Sequence, residues 1–60
     1  MQIGDHVKYK TNTKYGMDIE GILYSIDEGY RAYIFSDHDI TGIEKGDLVK
    51  VLLREGELTL

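Results

Sequence analysis

The sequence predicts an all-β fold, a small, partly open barrel of five short strands with a brief 3₁₀ turn before the last of them. Three observations point there. Seven glycines and no proline stand in 60 residues, and the glycines fall at fairly regular intervals between short apolar runs, where they act as punctuation. In the opening segment Val7 and Tyr9 alternate with His6, Lys8 and Lys10, the period of two that a half-buried strand requires. Compact polar clusters, Asp27-Glu28-Gly29 and Ser36-Asp37-His38-Asp39, separate the later apolar runs as tight turns would.

Strand one is expected over residues 4–10, with both lysines and the imidazole on one face and Val7 and Tyr9 on the other. Thr11-Asn12-Thr13-Lys14-Tyr15-Gly16 is a polar loop closed by a glycine free to take a positive φ. Strand two follows at 18–26, and the Asp27-Glu28-Gly29 connection pairs it antiparallel with strand three at 30–36. In strand three Tyr33 and Phe35 share the parity expected to face the core. Strand four is placed at 39–43, after the Ser36–Asp39 turn. Glu44-Lys45-Gly46-Asp47 fits one turn of 3₁₀ helix or a β-turn before strand five at 48–53. The tail, residues 54–60, is either a sixth strand or a fraying end.

This order resembles the SH3-like barrels, which include the KOW and Tudor-type modules, over nearly the whole chain. The resemblance is carried by Gly4-Asp5-His6-Val7, the Gly21-Ile22-Leu23 step, Tyr33-Ile34-Phe35-Ser36-Asp37 and the short turn at Glu44–Asp47. The Lys14-Tyr15-Gly16 loop and the Ser36-Asp37 turn are similar to those of small prophage-encoded SH3-like proteins, which implies a phage or prophage accessory role. The opening Gly-Asp-x-Val step is also similar to type II dihydrofolate reductase. The folate-binding Val-Gln-Ile-Tyr motif of that enzyme has no counterpart in Asp39-Ile40-Thr41-Gly42-Ile43, so the activity does not carry over.

Composition narrows the function. A chain of 60 residues makes a single domain, residues 1–60, and buries only ~60 % of the surface its unfolded form exposes, so the core is thin and self-association is favoured. No cysteine is present, which removes disulfides and thiolate zinc sites. Residues 1–5 have neither region of a signal peptide and no apolar run is long enough for a membrane span, so a cytoplasmic protein without membrane contact is expected.

Net charge is −4 and unevenly spread. Lys8, Lys10 and Lys14 dominate residues 1–16, whereas residues 17–47 hold eight carboxylates against Arg31 and Lys45. The three lysines with Tyr15 form the best nucleic-acid candidate, lysines for phosphates and an aromatic for a base. The overall negative charge opposes it, and weak or no nucleic-acid binding is expected. The acidic middle suggests a third reading, an inhibitor that mimics a nucleic-acid backbone.

Tyr30 and Arg31 at the end of the central hairpin are candidates for peptide contact. Ile22, Tyr24 and Ile34 lie on the parity opposite to the expected core and form a candidate interface, for a protein partner or a second copy in a homodimer. Asp37-His38-Asp39 is read as a solvated turn, because consecutive turn residues rarely converge on one ion, so no metal or cofactor is expected. Neither serine sits in a nucleophile-elbow pattern and no pocket is foreseen, so the chain is expected to be a non-enzymatic binding module.

Overall fold

The computed structural model describes all residues, 1–60. Five strands, β1 (His6–Thr11), β2 (Ile19–Asp27), β3 (Arg31–Ser36), β4 (Leu48–Leu52) and β5 (Gly56–Thr59), form one antiparallel sheet in the order β4-β3-β2-β1-β5. A single 3₁₀ turn, Leu53–Glu55, connects β4 to β5. Its ends are tied to two different loops: the Leu53 N–H donates to the Tyr30 carbonyl at 2.8 Å, and the Asn12 N–H donates to the Glu55 carbonyl at 2.9 Å. These bonds bring the two edges of the sheet around to one end, and the sheet curls into a partly open barrel. No helix is long and apolar enough to cross a membrane.

One element differs from expectation, and a second takes one of the two forms expected for it. Residues 39–43 pair with no neighbouring strand. Ile40 and Ile43 pair only with each other, across a turn in which Gly42 adopts φ +79°. Glu44–Asp47 is a β-turn, closed by the Asp47 N–H on the Glu44 carbonyl at 2.9 Å, and the 3₁₀ turn lies nine residues further along, at Leu53–Glu55. The tail supplies the last strand, with Leu58 opposite Tyr9 and Glu57 opposite Lys10.

The core comprises Val7 and Tyr9 from β1, Ile19 and Leu23 from β2, Ala32 and Ile34 from β3, and Val51 from β4. Tyr9 reconciles burial with its hydroxyl by donating to the Leu52 carbonyl at 2.8 Å, and burial, aided by the Glu55 charge, raises its pKa above the ordinary phenol value. Gly21 sits where β2 crosses closest to β3: a Cβ there would overlap the Phe35 carbonyl, a backbone atom that cannot step aside. At the central hairpin Glu28 and Gly29 both take positive φ, as the right-handed twist of the flanking strands favours.

The parity expected for β3 is reversed. Ala32 and Ile34 are fully buried, Phe35 faces solvent and Tyr33 is half-buried. The cause is register: Ile34 lies opposite Leu23 and Val49, which face inward, so Phe35 must share the outer face with Ile22 and Leu48. Ile34 is therefore core, and it is corrected out of the candidate interface. A register shift between Leu23 and Ser25 makes Tyr24 an extra residue in β2. Ile26 then lies opposite Ala32, yet it stays 41 % exposed, so the shift changes its parity without burying it.

Candidate functional site

The outer face of β2, β3 and β4 holds a continuous apolar strip. Ile22, Phe35 and Leu48 are direct cross-strand neighbours, and the Tyr24 ring stands edge-on to Phe35 with centroids 5.2 Å apart. They are 40 %, 38 % and 47 % exposed, and Tyr24 is 53 % exposed. Cross-strand contact covers part of each side chain and leaves the remainder to water. Of the residues expected at an interface from the sequence, Ile22 and Tyr24 are on this strip. Phe35 and Leu48 are its missed members, and the Leu23-to-Ser25 irregularity that sets their facing has no signature in residue type.

The basic strip is not purely basic. Lys8 and Lys10 project from the outer side of β1, but Lys8 lies opposite Glu20 in β2, and Lys10 lies opposite Glu57 in β5. Lys14 is displaced onto the loop, its ammonium 5.7 Å from the centroid of Tyr15, which is 89 % exposed. The fold thus separates Lys14 and Tyr15 from the strand lysines and intersperses the latter with carboxylates, a poor track for successive phosphates. Tyr30 and Arg31 do meet: the guanidinium lies 5.8 Å from the Tyr30 ring and forms an ion pair with Asp27, while the Tyr30 hydroxyl donates to Glu28 at 3.1 Å. Between the 11–17 loop and β4 the open side of the barrel leaves a shallow cleft of about 280 Å³, lined by Thr11, Met17, Val49 and Glu55 among others.

A third arrangement joins β1, β2 and the turn after β3. His6 Nε2 lies 2.7 Å from Asp37 Oδ2 and 3.4 Å from Glu20 Oε2, and His38 Nδ1 lies 2.9 Å from Asp37 Oδ1. Hydrogen bonds from His38 and then His6 hold the Asp37 carboxyl below the usual carboxylate range. Because the folded pKa is depressed, this contribution is complete above the unfolded carboxyl value near ~3.9 and is lost as pH falls through the lower folded value. Asp37→Asn is expected to remove that part of the acid limb. Urea unfolding followed between pH 5 and pH 2 measures it, and an unchanged acid slope in the variant would refute the assignment. Asp39, by contrast, turns away and accepts the Lys45 N–H at 2.7 Å, so the Asp37-His38-Asp39 triplet does not converge as a unit.

Comparison with protein-family models, with curated proteins and with solved structures returns no match for this chain.

Proposed function

We propose that the protein is a small non-enzymatic binding module that engages another protein through the outer face of β2, β3 and β4. The carrying observation is the Ile22, Phe35, Leu48 row with Tyr24 beside it, large apolar groups left about half in water although the core on the other side of the sheet is complete without them. Covering such side chains contributes roughly 1.5–3 kcal/mol for each one fully buried, and aromatic groups at the centre of a patch are the usual energetic anchors of an interface. The strand order, with a 3₁₀ turn before the last strand, supports kinship with SH3-like barrels. The accessory role in a phage or prophage setting, and a cytoplasmic location, belong to the same reading. Lysines alternating with carboxylates across β1 weigh against nucleic acid as the partner.

A second copy of the chain is the simplest partner, since a thin core gains most from covering its own apolar face. Sedimentation velocity over a wide concentration range is expected to show a monomer–dimer equilibrium that Phe35→Lys abolishes. A mass that stays monomeric at every concentration removes the homodimer and leaves a different protein as the partner.

A further inference from the structure

The His6, Glu20 and Asp37 cluster borders the apolar strip, with His6 directly opposite Ile22, and its polar groups are not accounted for by the binding function. The three residues come from the start of β1, the start of β2 and the turn after β3, and the backbone fixes their relation. His6 pairs with Ile22, two residues from Glu20 on the same face of β2, and the Asp37 N–H donates to the Glu20 carbonyl at 3.0 Å. Their ligating atoms all lie within 4.8 Å of one another. Glu20 stands directly opposite Lys8, yet its carboxylate forms its ion pair with the His6 imidazole and none with that lysine. Two carboxylates are thus drawn to one nitrogen, and a cation placed among them would relieve their mutual repulsion.

We propose that His6, Glu20 and Asp37 form a binding site for a divalent transition-metal ion, zinc by preference. The donor set selects the class. An imidazole with two carboxylates suits zinc and its neighbours, whereas magnesium and calcium favour all-oxygen sites. Two of the three separations fit with little movement, and the third, between Glu20 and Asp37, lies within 4.8 Å. Donors about 2.0–2.1 Å from a tetrahedral ion stand ~3.3 Å apart, close to the 3.4 Å between His6 and Glu20, and the 2.7 Å hydrogen bond between His6 and Asp37 has only to open by about 0.6 Å. All three side chains are partly exposed and free to make that adjustment. His6 Nε2 must give up any proton it holds, to Nδ1 of the same ring or to solvent, before its lone pair can ligate. His38 stays outside: through Nδ1 it holds the other oxygen of Asp37, fixing that carboxylate with Oδ2 toward the ion. Water completes the coordination on the open side.

The test is a titration of tag-free protein with zinc chloride in a non-chelating buffer at neutral pH, followed by amide and imidazole NMR shifts and by thermal unfolding. Saturable binding of one ion is expected, with the shifts centred on His6, Glu20, Asp37 and His38. The unfolding midpoint should rise by roughly 4–8 °C once free zinc exceeds its Kd about fivefold. His38→Ala should weaken binding by about 10–100-fold, and His6→Ala or the isosteric Asp37→Asn by more. Asp39→Asn, which removes the same charge from the same turn, should leave affinity unchanged. The proposal is overturned by unsaturable shifts spread over the surface carboxylates, by an equal response to magnesium, by undiminished binding in folded His6→Ala, or by equal losses in Asp37→Asn and Asp39→Asn.

Discussion

Ile34→Ala is expected to cost about 2–5 kcal/mol, the range for truncating a large aliphatic side chain in a core that collapses only partly around the gap. The reason is position. Ile34 has no exposed surface, lies in β3 between Leu23 and Val49 of the two flanking strands, and belongs to the cluster that includes Val7, Ala32 and Val51. A domain of this length holds roughly 3–9 kcal/mol in all, so the loss consumes a large part of the total. Ile22→Ala, one strand away on the outer face and 40 % exposed, should cost less than about 1 kcal/mol. Urea denaturation of the two variants beside the parent measures the contrast. Equal losses would mean that the inner and outer faces of the sheet have been assigned wrongly.

That contrast also shows where the sequence was informative. Alternation in β1 was legible because nothing interrupts it: Val7 and Tyr9 are buried, while His6, Lys8 and Lys10 face out. The central hairpin was legible from Asp27-Glu28-Gly29, whereas the count of five agrees only because the tail strand takes the place of the one expected at 39–43. The facing of β3 was not, because its two parities are almost equally apolar, Ala32 and Ile34 against Tyr33 and Phe35. Side-chain size favours the aromatics for the core. Register decides otherwise, since Ile34 is held opposite the inward Leu23, and a small Ala32 suits the crowded inner side. Pairing between strands distant in sequence outweighs the local pattern here.

The last strand was obscured for a similar reason. Gly56-Glu57-Leu58-Thr59 carries only one large apolar residue, and it becomes a strand because β1 offers it a partner over four residue pairs. Residues 39–43 carry two isoleucines and resemble a strand better, yet they have no neighbour to pair with and close on themselves. The candidate sites divide along the same line. Lys14 with Tyr15, and Tyr30 with Arg31, are sequence neighbours, and both contacts form. Phe35 with Leu48 and His6 with Asp37 are far apart in sequence and meet only through the sheet.

Capture from nuclease-treated extract of the native cells tests most directly whether the outer apolar strip serves a protein partner. The parent protein is compared with a Tyr24→Ser, Phe35→Ser double variant, whose circular dichroism and unfolding midpoint establish that it is folded. Both replaced rings are exposed and outside the core, so the fold should persist with a cost of no more than about 1 kcal/mol for each site. Binding should fall far more steeply, because removing two aromatic anchors from the centre of an interface costs about 2 kcal/mol or more for each, close to a thousandfold in affinity together. The expected result is a protein retained by the parent, insensitive to nuclease and lost from the folded double variant. Retention of the same protein by both would contradict it, as would capture that disappears with nuclease.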